Sequence, residues 1–171
     1  MVTLSTHYIT KGRVATFFCL MVSLALSALA AGPATLPTFS LPDAEGKMIS
    51  SAQFAGKVLV IDFWATWCAT CKETVPRLSA LQEKHKAKGL VVIGISVDKG
   101  SDEKIRKSAK KLGVNYLVLR DKENSLASAF GFSGIPSLYV FDRKGQLKLG
   151  LPGYDHDQEK QLDEAAEAAL R

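Results

Sequence analysis

Residues 58–76 read V-L-V-I-D-F-W-A-T-W-C-A-T-C-K-E-T-V-P, and their reading decides the fold. The first seven are apolar and β-prone, apart from Asp62, as in a strand buried on both faces of a sheet. A short turn follows, then Cys68 and Cys71 with two residues between them, then a helical pattern. Cys-x-x-Cys between a buried strand and a helix is a redox arrangement. It puts the first cysteine at the positive end of the helix dipole, among backbone N–H groups without helical partners. Both effects favour thiolate over thiol, and the thiolate is the nucleophile. The second cysteine, one turn on, can close a small disulfide ring with the first.

Outward from this stretch the chain alternates strands and helices. Residues 39–41 and 48–50 are expected as two short strands joined by the turn 43–47, followed by a brief capped helical turn that ends at Gly56. Residues 69–88 are expected as one helix, kinked at Pro76 and ended by Gly89. A second buried strand covers 90–97. Ser101 caps a helix over 102–112, which Gly113 stops. A short strand over 116–119 leads to a helix over 125–130, capped by Asn124 and stopped by Gly131. Two strands, 138–141 and 146–149, flank a Gly-containing turn. A final helix over 157–170 has one apolar face, Leu162, Ala165, Ala166 and Ala169.

This pattern resembles the thioredoxin superfamily. W-C-A-T-C-K after V-I-D-F-W-A-T carries the likeness, and the wider context is similar to the extracytoplasmic TlpA/ResA branch of thiol-disulfide oxidoreductases. The resemblance runs from about Leu36 to the C-terminus. It implies an α/β, thioredoxin-like fold: a central mixed β-sheet flanked by helices, with an N-terminal β-hairpin and a central αβ insert. It also implies that Ile135-Pro136 is the family's cis-proline position opposite the cysteines. There the backbone of Ile135 is free to pair with an extended substrate segment. Trp67 is expected beside Cys68 as a partly exposed apolar platform, and Trp64 in the core.

Asp62 is the anomaly in the buried strand. An ionised, unpaired carboxyl there is costly, so its pKa should rise. One explanation is an ion pair with Lys72 or Lys57. The other, implied by the likeness to thioredoxin, is proton acceptance for the buried Cys71. The TlpA/ResA branch often has Asn here. Two further departures concern the helix start. Thr70 stands where the family usually has Pro, and its hydroxyl can donate to a thiolate. Thr74 fills a slot that often holds Glu in ResA-like proteins, with Glu73 one residue early and rotated by about 100°.

Composition narrows the function classes. The chain has 171 residues, which suits one domain with a real core. Lys11 and Arg13 precede an apolar run over 14–29 and an A-x-A pattern at Ala28-Leu29-Ala30, the layout of a secretory signal peptide or an uncleaved anchor. The expected organisation is a signal segment over 1–30, a Pro-containing linker over 31–37, and the thioredoxin-like domain over 38–171. Without the two N-terminal cations, 20 basic residues stand against 17 acidic ones. A net charge of +3 is too mild to argue for nucleic acid. Cys19 belongs to the apolar run, so the exported part keeps only Cys68 and Cys71, and a bridge across two residues contributes little stability.

A structural zinc site needs four ligands, which one cysteine pair does not supply. A dithiol Cu(I)-binding module is the non-enzymatic alternative. A peroxiredoxin-like thiol peroxidase is the enzymatic one, although Thr66 stands only two residues before Cys68. The expected function is exchange of electrons with protein disulfides, without a cofactor beyond the Cys68–Cys71 pair. The client is a protein with a disulfide or dithiol: the resemblance suggests apocytochrome c or copper-site cysteines. A membrane thiol-disulfide donor would stand upstream.

Overall fold

The computed structural model describes residues 32–171. The signal segment expected over 1–30, with Cys19, lies outside the described residues. Seven strands and four α-helices follow in the order β1 (Ser40–Pro42), β2 (Met48–Ser50), β3 (Val58–Trp64), α1 (Ala69–His85), β4 (Leu90–Ser96), α2 (Asp102–Leu112), β5 (Leu117–Arg120), α3 (Ser125–Phe130), β6 (Ser137–Phe141), β7 (Leu147–Pro152) and α4 (Glu159–Ala169). The main sheet has five strands in the order β5-β4-β3-β6-β7. Strands β3, β4 and β5 are parallel, while β6 and β7 run antiparallel to their neighbours. The expected mixed, thioredoxin-like sheet flanked by helices is what forms. The β1–β2 hairpin is a separate antiparallel pair, tied to the β5 edge through the Asp43–Leu119 bridge.

The strip expected as a linker is bonded to the domain. The Leu36 N–H donates to the Gly145 carbonyl at 2.8 Å and the Leu147 N–H to the Ala34 carbonyl at 3.0 Å.

Every residue of β3 is buried, as its continuous apolar run requires. Its side chains alternate between the two faces of the sheet. Leu59, Ile61 and Phe63 enter a core with Phe130, Tyr139 and Phe141, where the Phe130 ring centroid lies 4.9 Å from Phe63 and 4.6 Å from Tyr139. Val58 and Val60 face the other way, toward Leu78 and Leu81 of α1 and Leu162 and Ala166 of α4. An Arg77–Asp163 ion pair links these two helices at the rim.

Helix ends follow local chemistry, with two departures from expectation. α1 ends at His85 and continues as a 3-10 turn over Lys86–Lys88, stopped by Gly89 in the left-handed conformation. Ser101 caps α2 as expected, accepting from the Lys104 N–H. Asn124 holds the N-cap position of α3, its carbonyl accepting from the Ser128 N–H at 2.9 Å, but its φ is 54° and its side chain makes no cap bond. The Asp121 side chain does this instead, accepting from the Ser125 N–H at 2.9 Å and the Ala127 N–H at 2.8 Å. A carboxylate with two oxygens can satisfy two orphan donors of the first turn together.

Candidate functional site: a paired cysteine at a helix start

Strand β3 delivers the chain to the rim of the sheet, and residues 65–68 turn it into α1. Cys68 is the N-cap of α1, and its Sγ accepts from the Cys71 N–H at 3.1 Å. Cys68 and Cys71 are joined by a disulfide with a Cα–Cα separation of 5.3 Å. Their surroundings differ. Cys68 is 6% exposed at the rim, and Cys71 is wholly buried beneath it. One sulfur can therefore meet a partner while the other is kept for the internal bond. The Thr70 hydroxyl lies 3.5 Å from Cys68 Sγ; since that sulfur carries no proton in the disulfide, the hydroxyl is the donor. At the next turn the Thr74 hydroxyl, buried, donates to the Cys71 carbonyl at 2.9 Å.

The Ile135–Pro136 bond is cis, and the Ile135 carbonyl oxygen lies 3.9 Å from Cys68 Sγ. The loop between α3 and β6 thus faces the cysteines, as the resemblance implied. Trp67 is 66% exposed. With Val97, Phe132, Gly134 and Ile135 it lines an open, largely apolar groove of about 420 Å³ beside Cys68. Trp64 is buried and packs in one cluster with Cys68, Cys71, Ile105 and Val118.

Asp62 is fully buried, and neither carboxyl oxygen has a hydrogen-bond partner among the described residues. Its register neighbours are Gly94 in β4 and Leu138 in β6, neither of which offers a charge. The ion pair with Lys72 or Lys57, entertained from the sequence, does not form. Burial alone pushes the carboxyl up to about 8, because the charged form loses water and gains nothing in return. Asp62 is on the same face of β3 as Trp64, the face that packs against the cysteine helix.

The sequence did not single out Asp98, which proves central to the turn. It is almost wholly buried, just beyond β4. One oxygen accepts from the Thr66 hydroxyl at 2.6 Å; the other accepts from the Thr66 N–H at 2.9 Å and the Ser96 hydroxyl at 2.8 Å. This network pins the residue two places before Cys68. The available signal was a carboxyl directly after a buried parallel strand, at the sheet end where α/β proteins place their sites. Among the described residues, no group of three or more His, Cys, Asp and Glu side chains is placed to hold a metal ion.

Comparison with known proteins agrees with this geometry. The family model described as the AhpC/TSA family matches residues 34–149. The thiol-disulfide oxidoreductase ResA of Bacillus thuringiensis subsp. konkukian is 29% identical over 128 residues, covering 75% of this chain and 72% of that protein. ResA of Bacillus subtilis is 28% identical over 111 residues, 65% of this chain and 62% of that one. Among solved structures, a putative thiol:disulfide interchange protein DsbE from Chlorobium tepidum superposes with a TM-score of 0.76 at 28% identity, covering 84% of this chain and all of that one. A putative protein disulfide isomerase from Bacteroides thetaiotaomicron, at 24% identity and a TM-score of 0.74, shares the fold. The chain belongs to the AhpC/TSA family, and within its thioredoxin-like fold it is similar to the ResA-type thiol-disulfide oxidoreductases.

Proposed function

We propose that this protein is a thiol-disulfide oxidoreductase that works on protein clients outside the cytoplasm, as a reductase. The observation that carries this is the asymmetry of the pair: Cys68 at the rim on a helix N-terminus, Cys71 sealed behind it. In the reducing direction the Cys68 thiolate attacks one sulfur of a client disulfide. A bond forms between Cys68 Sγ and that sulfur, and the other client sulfur leaves as a thiolate. Cys71 then gives its proton to the ionised fraction of Asp62, whose raised proton affinity approaches that of a thiol, and attacks Cys68 Sγ. The first client sulfur leaves as the second thiolate. The client has gained two electrons, and the enzyme is left as the Cys68–Cys71 disulfide. No cofactor beyond that disulfide enters the cycle. A thiol-disulfide donor at the membrane would return the two electrons.

Trp67, Ile135 and Pro136 are the substrate-binding residues in this reading. Among the described residues, the Ile135 N–H and C=O take part in no backbone hydrogen bond, which suits them to an extended client strand. Candidate clients are apocytochrome c thiols and copper-site cysteines, on the likeness to ResA. Export rests on the N-terminal pattern, Lys11 and Arg13 before an apolar run and Ala28-Leu29-Ala30.

The rival reading, a thiol peroxidase, draws on the AhpC/TSA match. The peroxiredoxin P-x-x-x-T-x-x-C pattern places its threonine three residues before the reactive cysteine; here Thr66 stands two before Cys68, and its hydroxyl is committed to Asp98. The deciding experiment is trapping with Cys71→Ser, which should capture clients as mixed disulfides on Cys68. Fast peroxide reduction that survives Cys71→Ser, with no trapped client, would favour the peroxidase.

A further inference from the structure

Two of the residues that line the groove beside Cys68, Trp67 and Val97, each stand next in the chain to one half of a buried clamp. Thr66 precedes Trp67, and Asp98 follows Val97. The Asp98 carboxylate accepts from the Thr66 hydroxyl at 2.6 Å, the Thr66 N–H at 2.9 Å and the Ser96 hydroxyl at 2.8 Å. The Val97 N–H donates to the Trp64 carbonyl at 3.0 Å, a second tie between the same two strand ends. A carboxylate only 2% exposed is costly unless donors surround it. Bonds to a charged acceptor are shorter and stronger than neutral ones, so the clamp holds its two segments firmly. Trp67 itself is mostly exposed. Its place is therefore set by its chain neighbours, Thr66 in the clamp and Cys68 at the start of α1. None of the residues lining the groove is charged. An ionised side chain entering it would lose water and gain no charged partner, whereas an apolar one would remove its own surface from water. The volume of about 420 Å³ lies in the range that accepts a large organic group.

We propose that Asp98 is a positioning residue for client selection: through Thr66 it holds Trp67 and Val97 as walls of the groove, and the groove so held takes a large apolar side chain beside the client cysteine that bonds to Cys68. Asp98 touches neither the client nor the sulfurs in this reading. It acts by keeping the Trp67 ring in one place before the client arrives, so that ordering the ring does not subtract from binding. The inference rests on protein disulfides being the substrates, as proposed above, and it adds which of them are preferred.

The test uses two symmetrical peptide disulfides that differ only in the residue next to cysteine, Phe in one and Lys in the other. Each is mixed with the reduced protein, and the rate constants for its reduction are compared. The wild type should favour the Phe peptide by about tenfold. Thr66→Val keeps the shape of the side chain but takes the hydroxyl out of the clamp, and most of that preference should vanish. Thr66→Ser restores the hydroxyl and should restore the preference. A lowered stability of Thr66→Val with the wild-type ratio intact would make the clamp merely structural and overturn the inference. Equal rates with the two peptides in the wild type would overturn it as well; a concentration-dependent dimer would then give the groove to a second copy of this chain. Should Thr66→Val fail to fold, Asp98→Asn, which keeps the shape and removes the charge, is judged by the same ratio. Failure of Cys71→Ser to trap any protein would sink the preceding function, whereas the peptide ratio is read without a captured client.

Discussion

The two faces of β3 are built on different terms. One face, Leu59, Ile61 and Phe63, is wholly apolar and joins a cluster of edge-to-face aromatic rings. The other begins alike, with Val58 and Val60, but carries Asp62 and Trp64 toward the cysteine helix, both with polar atoms that have no partner among the described residues. A carboxyl held neutral by burial lowers the stability of the native state at neutral pH. The first face contributes stability without chemistry, and the second gives up stability where the chemistry is. Under the proposed function, the contrast places the proton acceptor inside the domain's hydrophobic interior, where its affinity for a proton can reach the range a thiol needs.

The comparison can be broken most directly at Asp62. Burial pushes its carboxyl up to about 8 in the folded protein, from the ordinary aspartate range near 3.8 in the unfolded chain. The native state therefore binds the extra proton between those values, and stability falls as pH rises from about 4 to about 8. Asp62→Asn should stabilise the oxidised protein by several kcal/mol at pH 8. The gain should fade as pH approaches 4, as followed by urea unfolding across that range. The same variant should slow client release from the mixed disulfide by at least about tenfold. Equal stability of the two proteins at every pH would remove the asymmetry between the faces.

On the apolar face Phe63→Ala should cost about 3–5 kcal/mol at all pH values. The Cys68–Cys71 reduction potential should stay unchanged, measured against a glutathione or dithiothreitol buffer. A shifted potential would show that the two faces are not separable. Asp98→Ala leaves the Thr66 N–H and two hydroxyls without their acceptor, at a cost of about 1–3 kcal/mol. It should also loosen the turn before Cys68, read as faster amide exchange at Thr66. The smallest effect expected is at Thr70. Thr70→Val removes the hydroxyl beside Cys68 Sγ, so the thiolate loses a donor and the reduced form loses stability. The potential should become more negative by about 30 mV, equivalent to about 1.4 kcal/mol for a two-electron couple. A move to less negative values would refute a donor role for Thr70.

Most of the framework was legible in the chain. Buried strands announce themselves by unbroken apolar runs, as at Val58–Trp64 and Leu90–Ser96, and helix ends by Ser101, Gly89, Gly113 and Gly131. The cysteine pair and the proline opposite it were visible from local motifs. The side chain that serves the start of α3 was missed because Asp121 reaches forward over four and six residues, whereas the usual expectation looks only at the N-cap residue, here Asn124. Asp98 escaped notice because the donors it serves at Thr66 are 32 residues away in the chain.

By itself, then, the sequence determined the order of elements, the two sulfurs and the presence of a carboxyl where apolar residues belong. These are local matters, set by side-chain period, turn chemistry and the spacing of two cysteines. Only the tertiary structure decided that Asp62 meets glycine and leucine instead of lysine, that the Trp64 indole leans over Gly94, and that Asp98 pins Thr66. Each depends on which strand lies beside which and in what register. Pairing strands distant in the chain determines whether a buried polar group finds a partner, and so whether it becomes a support or a reactive group.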